Sequence, residues 1–67
     1  MNNVKYPDIK VQLVGRDGNA FAILGAVGKA MRRAGLTKEQ IDEYTNEATA
    51  GDYDHLLSTT TRYVEVV

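Results

Sequence analysis

Sixty-seven residues, 43% of them hydrophobic and 25% charged, with a net charge of −1, make one globular domain and leave no room for a second. The absence of cysteine excludes disulfides and thiolate metal sites, and a single histidine excludes a His-rich metal centre within the chain. A chain this short buries only about 60% of the surface its unfolded form exposes, so oligomerisation is the expected additional source of stability and a homo-oligomer is predicted.

The opening stretch MNNVKYPDIK is polar and lacks the apolar core of a signal peptide. The longest apolar run, AFAILGAVG, is nine residues, far short of the roughly 20 needed to span a bilayer. No membrane association and a cytoplasmic location are therefore expected. Residues 1–7 read as a loosely ordered lead-in to a single domain over 1–67.

The first element is DIKVQLVG, in which Ile9, Val11 and Leu13 alternate with Lys10 and Gln12. That period of two predicts a half-buried strand, with Pro7 marking its entry. Gly15 to Asn19 then forms a tight connection into a helix predicted over Ala20–Ala34. Asn19 is its expected N-cap and Gly35 its C-terminal stop. Ala20, Ile23, Leu24, Val27, Met31 and Ala34 share one broad face, with Phe21 and Gly28 on its edge. Lys29, Arg32 and Arg33 lie opposite.

The second helix carries the clearest start signal. LTKEQI places Thr37 at the N-cap, Gln40 at the third helical position, and Leu36 and Ile41 as a hydrophobic staple. The helix is expected to continue to about Ala50 and stop at Gly51, with Ile41, Tyr44 and Ala48 as its inner stripe. In DYDHLLSTTTRYVEVV, Asp52 caps a short helix carrying Tyr53, Leu56, Leu57 and Thr60. Three consecutive threonines then favour extended chain, so residues 56–62 are open to either assignment. RYVEVV reads as a second strand. The sequence thus predicts an α+β fold in β-α-α-α-β order, with the two terminal strands paired and the helices on one face. A two-stranded sheet leaves edges open to another chain, which again points to association.

Charge is divided between the halves. Residues 1–35 hold Lys5, Lys10, Arg16, Lys29, Arg32 and Arg33 against Asp8 and Asp17, a balance of +4. Residues 36–67 hold Lys38 and Arg62 against Glu39, Asp42, Glu43, Glu47, Asp52, Asp54 and Glu65, a balance of −5. The simplest expectation is that the halves pack together and neutralise each other. The alternative is a bipolar surface that steers self-association or an anionic ligand.

The segment GRDGN invites a functional reading. A strand-loop-helix junction aims free amides and a partial positive charge at whatever lies before the helix, which favours anions. Gly18 and Asn19 would supply amides there, Arg16 a bidentate charge, and Arg62 a second cation. The segment nevertheless matches neither nucleotide-binding glycine motif, and DGN is also plain turn chemistry. Gly25 and Gly28 inside the first helix each cost about 0.8–1 kcal/mol against alanine, which predicts close approach of another helix. His55 beside Asp54, with Ser58 three residues on, has the ingredients of a general base. No acid, base and nucleophile set converges on it, so a solvated first-turn histidine is the simpler reading, and neither catalytic residues nor a bound metal or cofactor is implied. Nucleic-acid binding is disfavoured by a pI near 5.7 and few aromatics.

LVGRDGNAFAILGAVGKAMRRAG and EATAGDYDHLL together resemble a group of short bacterial and bacteriophage proteins of unassigned function. The similarity covers nearly the whole chain and implies no activity, cofactor or site. A phage connection adds by analogy the expectation of an oligomer that sequesters nucleotide signals. Two function classes follow: a non-enzymatic binder of a phosphorylated small molecule at the junction or a subunit interface, and a protein-interaction module working through helix surfaces or the sheet edge.

Overall fold

The computed structural model describes residues 4–12 and 19–67. Its element order is β1 (Tyr6–Val11), α1 (Ala20–Arg33), α2 (Lys38–Ala48), α3 (Tyr53–Tyr63) and β2 (Val64–Val66), the expected α+β arrangement. The two strands pair in parallel, with Tyr6 opposite Val64, Lys10 opposite Glu65 and Val11 opposite Val66. The register is irregular between Tyr6 and Lys10, where Pro7 has no N–H to give to a ladder.

Strand β1 begins earlier than its alternation suggested. Tyr6 and Pro7, assigned to a loose lead-in, belong to the strand, and the Lys5 N–H donates to Arg62 O at 2.8 Å. The Tyr6 ring packs against Tyr63, with centroids 6.3 Å apart, which fixes this entry. Downstream, Ile9 and Val11 are buried while Asp8, Lys10 and Gln12 face outward. Leu13 to Gly15 of the expected strand, and Met1 to Asn3 of the lead-in, lie outside the described residues.

Both early helices start where capping chemistry places them. Asn19 Oδ1 accepts from Phe21 N–H at 2.7 Å, satisfying a donor the first turn cannot. Thr37 Oγ1 accepts from Gln40 N–H while Gln40 Oε1 accepts from Thr37 N–H, a reciprocal capping box. Gly35 has a φ of +90° and closes α1 in the left-handed region. Helix α1 buries Ile23, Val27 and Met31. Ala34, assigned to that face by periodicity, is instead the exposed C-cap. Helix α2 stops at Ala48, short of the expected Ala50.

The third helix departs most from expectation. It runs through all three threonines to Tyr63, so residues 56–62 are helical and β2 is shortened to three residues. Thr59 and Thr60 are fully buried. Thr60 Oγ1 donates back to Leu56 O at 2.9 Å and sits 2.7 Å from Tyr44 Oη. Tertiary burial with every hydroxyl satisfied outweighs the modest helix penalty of β-branched residues.

One core joins all five elements: Ile9, Val11, Ile23, Val27, Met31, Tyr44, Ala48, Leu56, Tyr63 and Val64. Leu36 and Ile41, the two residues of the predicted staple, both pack against it. Tyr44 and Tyr63 meet edge to face at 5.3 Å, and Tyr63 Oη donates to Glu47 Oε2 at 2.8 Å. The glycines of α1 separate in role. Gly28 lies beside Ile41, whose Cγ2 would stand 3.9 Å from an added Cβ, so α2 is its neighbour but at an ordinary van der Waals distance that does not demand a glycine. Gly25 has nothing within 4 Å of an added Cβ.

Three outcomes are expected. The single Thr60 hydroxyl proton goes to Leu56 O, so Tyr44 is the donor in their shared bond. Thr60→Val therefore orphans a buried O–H and should cost about 1–3 kcal/mol, more than the roughly 1 kcal/mol of Tyr44→Phe, as urea denaturation will show. Gly25→Ala should stabilise the fold by about 0.8–1 kcal/mol, raising the melting temperature by roughly 4–8 °C. Burial, then the hydrogen bond to Glu47, pushes Tyr63 up to about 12. A raised tyrosine favours the neutral ring in the folded state, so this stabilisation is complete below the unfolded value near 10 and is lost as pH rises toward 12. Denaturation midpoints between pH 9 and 12 should fall for the wild type and stay flatter for Tyr63→Phe.

Candidate functional site

Of the residues singled out at the strand-loop-helix junction, Arg16 and Gly18 lie outside the described residues. Asn19 is in place, with its carboxamide oxygen engaged as the α1 cap. Arg62 lies near the C-terminal end of α3, where its Nη2 is 3.9 Å from Glu47 Oε1 and 3.4 Å from Thr59 Oγ1. Ala20, the residue after Asn19, shares a depression with Tyr53 and Leu56 at the other end of that helix. Nine positions of α3 separate Tyr53 from Arg62, about 13 Å of helix rise. Arg62 and Asn19 are therefore not gathered into one site.

His55 is not a solvated first-turn residue. It is half-buried, and its Nε2 lies 2.8 Å from Glu47 O in the last turn of α2. A carbonyl only accepts, so Nε2 carries the proton and the ring is committed to tying α3 to the end of α2. The same ring fills the space over Gly51, where an added Cβ would approach to 2.8 Å. Asp52 accepts from His55 N–H as the α3 N-cap. Among the described residues no group of three His, Asp or Glu side chains is arranged to hold a metal ion. No described helix is long and apolar enough to cross a membrane.

The depression beside Ala20 has a volume of about 220 Å³ and walls of Leu24, Ala48 and Leu56. Its carboxylate, Asp52, is already spent on the cap. Chemistry that is not yet committed lies elsewhere. Acidic α2 pairs with cations outside α1: Glu43 with Lys5, Asp42 with Lys38, and Glu47 with Arg62. The hydrogen bond to Glu43 raises the Lys5 ammonium above its ordinary value. Lys10, Lys29, Arg32 and Arg33 make no ion pair among the described residues. The expected mutual neutralisation of the two halves thus stops short of α1, because α1 turns its apolar side to α2 and its cations outward.

Three of these cations surround one feature. Between β1 and α1 runs an open groove of about 240 Å³ lined by Lys10, Val11, Gln12, Ala26, Lys29 and Arg33, with Ala30 in its floor. It continues past Asp8 and Ala34 into a second depression of about 360 Å³ that shares Lys10, Ala30 and Arg33. Val11 O accepts from Val67 N–H at 2.9 Å, so the peptide groups of Val11 face β2. Strand alternation turns those of Lys10 to the opposite side. The sheet has only two strands, so this side of β1 is an unpaired edge among the described residues. Sequence reading identified Lys29 and Arg33 as a cluster but not Lys10 as its neighbour. The signal was the alanine spacing at 26, 30 and 34, which leaves one flank of α1 without bulk.

A scan of protein-family models gave no match, and comparisons with curated proteins and with solved structures gave none either.

Proposed function

We propose that this chain is a non-enzymatic interaction module, and that its contact surface is the open edge of β1 with the adjoining flank of α1. The observation that carries this reading is charge without a partner. Lys10, Lys29 and Arg33 line the groove with no ion-pair partner among the described residues, while Lys5, Lys38 and Arg62 are each matched to a carboxylate. Lys29 and Arg33 stand four residues apart on the helix wall and Lys10 lies on the adjoining strand, so an anionic partner would be drawn to these like charges. A non-catalytic role is supported by the commitment of His55 to Glu47 O and of Asp52 to its cap. The alternative of a phosphorylated small molecule at the junction loses support where Arg62 is paired with Glu47 away from Asn19.

The test compares two variants in affinity capture from the cells of origin. Lys29→Glu/Arg33→Glu reverses charge on the groove wall; Phe21→Ser alters an exposed aromatic of α1 that does not line the groove. Both are surface changes expected to shift stability by only about 0.5 kcal/mol. Proteins captured by the wild type and by Phe21→Ser, but lost with the charge reversal, are the expected result. Equal capture by all three proteins, or none by the wild type, overturns the assignment.

A further inference from the structure

We infer that the groove takes an acidic, extended peptide segment, which adds a third strand to the open edge of β1. This rests on the reading above that the groove is the contact surface, and it names both the occupant and the mode of binding.

The edge supplies the first half of the recognition. By strand alternation the N–H and C=O of Lys10 point away from β2, and a strand added on that side would lie about 4.8 Å away. Such a strand needs room on the helix side for the side chains it turns inward. Ala26, Ala30 and Ala34 provide it, since they present only methyl groups along that flank of α1.

Spacing supplies the second half. Lys29 and Arg33 are four residues apart on one helix, about 6 Å along its axis. Alternate residues of an extended chain are about 6.6 Å apart. Carboxylates at two alternate positions of an added strand would therefore match Lys29 and Arg33 in turn, while the Lys10 ammonium on the opposite face adds only a longer-range attraction. Among the described residues Asp8 is the one carboxylate lining the continuation of the groove, and it disfavours acidic groups at that end. A lysine on an unpaired edge also discourages neutral or basic strands from pairing. The same side chain that protects β1 from indiscriminate association therefore selects for acidic segments.

The full chain should be titrated with a labelled peptide of about nine residues alternating valine and glutamate, using fluorescence anisotropy, with amide chemical shifts as a second readout. Three control peptides define the mode: the same composition with its glutamates clustered, a version alternating valine and lysine, and the alternating glutamate peptide with alternate amides N-methylated. Saturable binding of the alternating acidic peptide is expected, with shifts at the Lys10 amide. Clustering, N-methylation or Lys29→Glu/Arg33→Glu should each weaken it about tenfold or more, and the lysine peptide should not bind. Equal binding of the clustered or N-methylated peptide would overturn strand addition. So would the absence of peptide binding. If the charge reversal still abolishes capture in that case, the surface stands and only the strand mode fails. A wild-type dimer that the charge reversal dissociates, with no peptide bound, would instead make a second copy the occupant.

Discussion

Two parallel strands cannot be joined by a turn, and most of what this chain does between Val11 and Val64 follows from that constraint. A parallel pair needs a crossover long enough to return the chain to its starting end. Here the crossover contains all three helices, so the sheet and the helical layer are one closed construction. Ile9, Val11 and Val64 are covered by Ile23, Val27, Met31, Tyr44 and Leu56. The other sheet face carries Asp8, Lys10 and Gln12 to solvent. Parallel sheets are usually buried on both faces, so a pair left open, among the described residues, on one face and along its β1 edge is an unusual economy of structure.

The helices of the crossover are held by polar contacts as well as by burial. Tyr44 reaches from α2 to the Thr60 hydroxyl on α3, Tyr63 returns from α3 to Glu47, and His55 closes on the last turn of α2. These ties lock α2 and α3 to each other. Helix α1 is attached differently, through Ile23, Val27 and Met31 in the shared core and through the contact of Gly28 with Ile41. Because its apolar side is held inward, Lys29 and Arg33 are carried to the flank where Lys10 emerges from β1. The position of the groove is thus a product of the core.

Much of this was legible in the residues themselves. Asn19, Thr37, Gln40, Gly35 and Asp52 announce their caps through local chemistry, which acts within a few residues and needs no tertiary partner. The order of elements followed from those caps and from two hydrophobic periods. The threonine run was less legible because local propensity and tertiary burial oppose each other there, and only the fold shows Tyr44 waiting for Thr60. The end of β1 at Val11 and the inclusion of Tyr6 depend on pairing with β2 and on the Tyr6–Tyr63 contact, both long-range. The groove was hidden for the same reason: it joins residues 10 and 29–33 across the sheet-helix boundary. Charge counting by halves suggested internal neutralisation, whereas Lys5, on the basic half, is the residue that reaches α2.

The parallel pairing also sets the order in which the molecule can assemble. Tyr6 and Val64 are partners across nearly the whole sequence, so the sheet closes only after a long loop has lost its freedom. The α2–α3 pair needs only local contacts, Tyr44 with Thr60 and Glu47 with Tyr63, sixteen residues apart in each case. Short-range contacts form before long-range ones repay their entropy. During synthesis, β1 therefore emerges with both edges bare and stays so until Val66 has left the ribosome. For that interval the exposed charges Asp8 and Lys10 discourage β1 from pairing with whatever strand is nearest.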